Sequence, residues 1–394
     1  MVMKKNTVFL AVLIAITIQA NAQWVTQSSG TSHDLYSICF SAPDTGYAVG
    51  NNGTILKTVN GGTLWTPQSS GTTSILNSVF CIDKDTAYIA GVDGIILKTI
   101  NGGNSWNPLP SGFINALTSI YFINPDTGFT VGYNGAILKT VNAGASWLAL
   151  SSGTTEYLYS IYFTDADNGY AVGLMGTIIK TINGGASWTL QSSGTTNSLY
   201  SVYFTSASAG YAVGYSGSIL KTINGGTTWT FQTTGMDPYT SVFFTDANTG
   251  YITGVVGMIM KTTNAGANWT IQTSVSLNVL QSVFFADANI GYIAGQGGTI
   301  LKTIDGGVFI EESQSIESGL NIFPNPSSNQ ITLKLSQNTS KATIKIYNLL
   351  GDLKYTSTIS SPETAIDIAD LAKGVYIIEV ATEKNVMREK FVKQ

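Results

Sequence analysis

A chain of 394 residues is long enough for two domains and a sizeable core. Charged residues make up only 11% of it, against 42 glycines, so its surface has to be built largely from Ser, Thr, Asn and Gly. The net charge of −4 argues against nucleic acid as a partner, because neutralising phosphates takes clustered Lys and Arg.

Met1 to Ala22 has the pattern of a secretory signal peptide. Lys4 and Lys5 give a positive start, Val8 to Ile18 an apolar stretch, and Ala20-Asn21-Ala22 a small-x-small cleavage site. The apolar run is too short to span a bilayer, so no membrane span is expected in the mature chain.

From Gln23 onwards the sequence repeats. The word GYAVG begins at Gly46, Gly169 and Gly210, with variants at Ala87, Gly128, Gly250 and Gly291. Successive starts are 41 residues apart, with one step of 40. A period near 40 with strand-like content predicts an all-β fold, a seven-bladed β-propeller over residues 23–310, one blade per copy. In the fourth copy four strands are expected: Leu158 to Phe163, Tyr170 to Gly173, Thr177 to Thr181, and one from Trp188 towards Gln191. Gly, Asn and Asp punctuate the junctions.

All seven tryptophans recur at one place in this pattern, from Trp24 to Trp269. Nothing repeat-like precedes Trp24, and the last copy ends at Gly307 without a Trp. The two defects complement each other, so residues 23–30 are expected to supply the outer strand of the seventh blade and close the ring. The alternative is that Val308-Phe309-Ile310 fills that place. Cys39 and Cys81 occupy the fifth and sixth positions of equivalent strands (LYSICF, LNSVFC). Neighbouring positions on a strand point to opposite faces, so the two thiols are expected to stay apart as small buried hydrophobes.

Ahead of each Trp lies Thr58-x-Asn60-x-Gly62-x-x-Trp65 and its counterparts, ending in the truncated Thr303-x-Asp305-x-Gly307. Its chemistry is that of a turn, with Asn or Asp accepting backbone N–H groups two residues on. The motif resembles the Asp-box of BNR-repeat propellers. The longer string G-Y-A-V-G-x-x-G-T-I-L-K-T-x-N-G-G-x-x-W resembles the propeller family of photosystem II assembly and stability factors, over about residues 23–307. Two features of this chain depart from that family's usual pattern. It has Lys57, Lys98, Lys139, Lys180, Lys221, Lys261 and Lys302 where the family often has His. The photosynthetic members bind through a basic, arginine-containing patch, whereas this propeller has no arginine.

Residues 311–319 form a polar linker, and the composition then changes. Residues 23–307 hold eight Lys and thirteen acids, whereas the much shorter 308–394 holds eight Lys, Arg388 and ten acids. About seven short strand-like runs in 320–394 suggest an immunoglobulin-like sandwich. Phe323-Pro324-Asn325-Pro326, Ile346-Tyr347-Asn348-Leu349-Leu350-Gly351, Leu371-Ala372-Lys373-Gly374-Val375-Tyr376 and the terminal Lys390-Phe391-Val392-Lys393-Gln394 resemble the type A sorting domain of the type IX secretion system. That resemblance implies the type IX machinery as a partner, and an extracellular or surface location in a Gram-negative bacterium.

No catalytic, cofactor or metal constellation is expected. Sialidases, often built with Asp-boxes, grip their substrate's carboxylate with several arginines, and the one Arg388 lies in the tail. His33 is the only histidine, which excludes a His-based triad or ligand set. Asp165-x-Asp167-x-Gly169 resembles the start of a calcium loop, but Gly176 stands at its twelfth position and a turn is expected instead. On the face formed by the loops between blades and between second and third strands, the acids are Asp34, Asp93, Glu156 and Asp237, in blades one, two, four and six, and no close pair is implied. Ser37 and its six counterparts either line the channel and hold water or are small because seven strands converge there.

What varies between copies is that loop face. Blades three to six place Tyr133, Leu174, Met175, Tyr215, Val255 and Val256 there, and the connecting loops add Phe113, Tyr157 and Met236. Such an apolar and aromatic rim reads as an interaction surface, with the alternative that these side chains fold inward over the channel mouth. The expected function is a secreted, non-enzymatic propeller binding an extracellular protein or glycan. The alternatives are a carbohydrate-active hydrolase and a rigid repeat adhesin or spacer.

Overall fold

The computed structural model describes residues 24–233, 235–307, 320–335, 341–348, 352–382 and 386–394. The expected signal peptide, the linker 311–319, Val308-Phe309-Ile310 and Leu349-Leu350-Gly351 lie outside them. The chain divides into two units, 1–309 and 310–394.

The first unit is a ring of seven four-stranded antiparallel sheets. In the fourth blade the strands are Leu158–Phe163, Gly169–Gly173, Ile178–Thr181 and Thr189–Gln191, hydrogen-bonded in chain order. The second strand is buried along its whole length in every blade, because both of its faces are covered by neighbouring blades. That accounts for its unbroken small and apolar sequence, without in–out alternation. Each innermost strand packs against the next, and Leu35–Phe40 packs against Leu280–Phe285 to complete the circle. The seventh sheet takes its outer strand from the start of the chain: Val25, Thr26 and Gln27 pair with Lys302, Leu301 and Ile300. Trp24 is fully buried there, edge-on to Tyr251 and Phe285.

The residues common to all copies are consumed in joining blades. Each inner-strand serine accepts a hydrogen bond from a backbone N–H of the next blade: Ser37 from Val79, Ser78 from Ile120, Ser119 from Ile161, Ser160 from Val202, Ser201 from Val242, Ser241 from Val283. Ser282 closes the series on Ile38. These bonds give the recurring serine a definite role beyond small size. Each repeated lysine likewise donates from Nζ to a carbonyl in the next blade's Asp-box turn, as Lys180 does to Gly225 O at 2.7 Å and Lys302 to Gly61 O at 2.6 Å. The same lysines sit 5.1–5.9 Å over the Tyr or Phe ring of their own blade's second strand.

The Asp-boxes are turns, with a different reach from the one expected. In six copies the Asn carbonyl accepts the N–H four residues on, as from Leu64 to Asn60, while the Thr hydroxyl accepts from the second Gly. Only Asp305, in the truncated copy, accepts from two residues on. Asp165 also caps a turn, its Oδ1 accepting from the N–H groups of Asp167 and Asn168.

The structure corrects the reading of the cysteines: Cys39 and Cys81 form a disulfide, with Cα atoms 6.1 Å apart. Alternation decides which residues share a face within one sheet. Here the two strands belong to successive sheets packed face to face, so opposite parity is what points the side chains at each other. At every other junction the same two positions carry an aromatic pair: Phe80–Phe122, Tyr121–Phe163, Tyr162–Phe204, Tyr203–Phe244, Phe243–Phe285 and Phe284–Phe40, with centroids 6.0–6.2 Å apart. The disulfide takes the place of the seventh pair. One consequence is visible at Trp106, which meets Tyr47 of the preceding blade instead of a Phe of its own.

The second unit is a two-sheet sandwich. One sheet joins Leu320–Phe323, Gln330–Leu335 and Glu363–Asp367. The other orders Leu353–Ile359, Ala342–Asn348, Gly374–Thr382 and Val386–Lys393. Ile331, Leu333, Ile344, Ile346, Ile378 and Phe391 fill the space between them.

Candidate binding face

The loops entering each blade and the loops joining its second and third strands meet on one side of the ring. Asn51 N donates to Asp34 O, Leu174 N to Tyr157 O, and Gln296 N to Val279 O. The Asp-box turns bond to the turns between first and second strands, as Gly61 N does to Asp44 O, on the side where the inner strands end.

On the loop side the second residue of every two-to-three connection is forced into the left-handed region. Asn52, Asp93, Asn134 and Ser216 occupy it with short polar side chains, and Gly297 does so freely. In blades four and six the position is held by Met175 (φ 54°) and Val256 (φ 53°), residues for which this backbone is costly. Both side chains are exposed, at 57% and 65%. Tyr133 and Tyr215 are exposed as well, Met236 is 87% exposed, and Leu174, Val255 and Tyr157 are half-buried. Phe113 is partly buried against the core between blades two and three.

Two of these residues are brought together directly. Tyr133 and Tyr157 stack in parallel, with ring centroids 4.1 Å apart and 1° between planes. Beside them lies a second pair that the repeat comparison overlooked. Tyr159 and Tyr200, each the residue before the invariant serine, approach to 5.4 Å. The phenol of Tyr159 is pushed up by burial first, then by Tyr200, Tyr133, Tyr157 and Glu156; Tyr200 is raised by burial and by Tyr215. The five tyrosines and Glu156 thus share one neighbourhood. The signal was available in the sequence. That position reads Tyr36, Asn77, Thr118, Tyr159, Tyr200, Thr240 and Gln281, as variable as the serine next to it is constant. Where it is Asn or Thr, the side chain bonds to the next blade's carbonyl, as Asn77 does to Leu117 O and Thr118 to Leu158 O. Tyrosine leaves that role and contributes a ring instead.

The carboxylates of this face are spread out and partly engaged. Asp34 Oδ1 accepts the N–H of Gly297 at 2.8 Å, and Asp93 accepts the hydroxyl of Ser74 at 3.0 Å. His33 Nδ1 lies 2.8 Å from Thr54 Oγ1. Among the described residues there is no group of three or more His, Cys, Asp or Glu able to hold a metal ion. A shallow groove lined by Phe113, Asn134 and Ser151–Thr155 recurs in blade one along Asn52, Gly53 and Gln68–Thr73, which ties it to the shared blade architecture.

Fold and repeat chemistry together define a seven-bladed Asp-box propeller followed by a small β-sandwich. The family model for the photosynthesis system II assembly factor YCF48 matches residues 16–153 and 190–278, more than half of the chain, and the chain belongs to that family. The model of the secretion system C-terminal sorting domain matches residues 321–394. Among solved structures, one described as YCF48 bound to D1 peptide superposes with a TM-score of 0.64 at 20% identity, covering 72% of this chain and 96% of its own. YCF48 from Cyanidioschyzon merolae gives 0.61 at 21%, covering 71% and 98%. At these identities the likeness is one of fold. No curated protein matches the chain.

Proposed function

We infer that the chain is a secreted or cell-surface, non-enzymatic propeller that binds an extracellular protein or glycan through its loop face, and that residues 320–394 hand it to the type IX secretion machinery of a Gram-negative bacterium. The observation that carries this reading is the division of labour among residues. Serine, lysine, tryptophan and the Asp-box are spent on joining blades, while the residues that differ between blades gather on one side as exposed aromatic and apolar groups. The match of the tail to a sorting domain supports export, and the family's description as an assembly factor supports binding over catalysis. Asp34 and Asp93 are already engaged by Gly297 N and Ser74, which leaves little for two-carboxylate hydrolysis.

A glycan array probed with the purified chain, run beside a broad panel of polysaccharides assayed for reducing ends, tests the reading. Binding without release of reducing sugar supports it. Catalytic release from any polysaccharide overturns the non-enzymatic part.

A further inference from the structure

Acidic residues occur on both faces of the propeller, but its lysines are confined to one. Residues 23–307 contain eight lysines and no arginine. Seven of those lysines are held by carbonyls of the Asp-box turns, and Lys84 lies 3.8 Å from Asp85 in a turn on the same side. The loop face keeps Asp34, Asp93, Glu156 and Asp237, none of them in an ion pair among the described residues. It therefore presents negative charge and no Lys or Arg. The most aromatic sector of that face contains one of those carboxylates: Glu156 precedes Tyr157, which stacks on Tyr133, and the Tyr159–Tyr200 pair adjoins them.

We propose that this sector, formed by Tyr133, Tyr157, Tyr159, Tyr200 and Glu156, docks a cationic peptide segment whose Lys or Arg side chains lie on the tyrosine rings with Glu156 as counter-charge. The proposal rests on the binding-face reading above and names its ligand class. Tyrosine faces attract an ammonium or guanidinium through the ring quadrupole, and more so when a carboxylate stands beside them. The same rings would stack on a sugar, but a neutral sugar leaves the face's uncompensated charge unused. An acidic peptide would be repelled by it.

The test uses the full-length chain and three probes: a Gly-Ser peptide with spaced lysines, the same peptide with glutamates, and a panel of neutral oligosaccharides. The lysine peptide is expected to bind, and to weaken strongly as salt rises from about 0.1 M to about 1 M, where the screening length falls to about 3 Å. Tyr157→Ala and Tyr200→Leu are each expected to weaken it about tenfold, as truncation of an interface anchor does. Glu156→Lys, a loop substitution that leaves the rings in place, is expected to abolish lysine-peptide binding while the melting temperature holds. The proposal is overturned if the glutamate peptide binds as well as the lysine peptide, or if Glu156→Lys leaves lysine-peptide affinity unchanged. If instead only neutral oligosaccharides respond to the tyrosine substitutions, the cationic ligand is wrong while the binding face stands. If no probe responds to them, both fail.

Discussion

Ser160 shows how much one small side chain does here. Its hydroxyl accepts the N–H of Val202 in the next blade, and six sister serines repeat the bond around the circle. Ser160→Ala would leave that half-buried N–H without its acceptor, at a cost of about 1–3 kcal/mol, read as a lower midpoint in chemical denaturation with an unchanged slope. The serine's recurrence was plain in the sequence, but its partner was not. Repetition reveals that a residue matters to every blade, whereas a hydrogen bond across a junction requires knowing which backbone group lies opposite. Tyr159 and Tyr200 escaped notice for the converse reason. They vary, yet they sit inside an innermost strand, where variation is easily taken for tolerance. Met175 and Val256 were legible as rim residues, but their left-handed backbone was not, since neither position is itself an Asn or Gly that would announce it.

Among elements, the most instructive case is the junction of blades one and two. A rule valid within one sheet set Cys39 and Cys81 on opposite faces, and the stacking of successive sheets turned those faces towards each other. The bridge spans a sequence separation of 42 residues. For a loop of that size the chain-entropy model gives about 4 kcal/mol of stabilisation. Replacing both cysteines with serine is therefore expected to lower stability by up to that amount. In the native chain, neither sulfur should react with a thiol reagent until reductant is added. Labelling of the untreated native protein would contradict the bridge.

The outer strand of the seventh blade makes a second prediction at this scale. Trp24 is fully buried, and Val25–Gln27 supplies the fourth strand of a sheet that otherwise ends at Ile300–Thr303. Removing residues 23–30 exposes that edge and empties the Trp24 site. Calorimetry should record a melting temperature lower by many degrees, and an unchanged transition would mean that the strand contributes nothing to closure.

The whole molecule was legible to different depths at different levels. A period of 41, seven tryptophans and an unpaired first strand carried the ring, and the shift in charge density marked the second unit. Partner chemistry was harder to read, because it depends on which variable side chains meet in space. Tyr133 and Tyr157 lie 24 positions apart in different blades and still stack face to face. Shared residues build the ring, and the proposed function assigns binding to the unshared ones. Replacing Tyr133, Leu174 and Tyr215 together with alanine, and measuring binding to cells or matrix alongside the melting temperature, tests that claim most directly. Binding should fall at least about tenfold, as loss of several interface anchors does, with the melting temperature preserved. Unchanged binding by a correctly folded triple variant would contradict it.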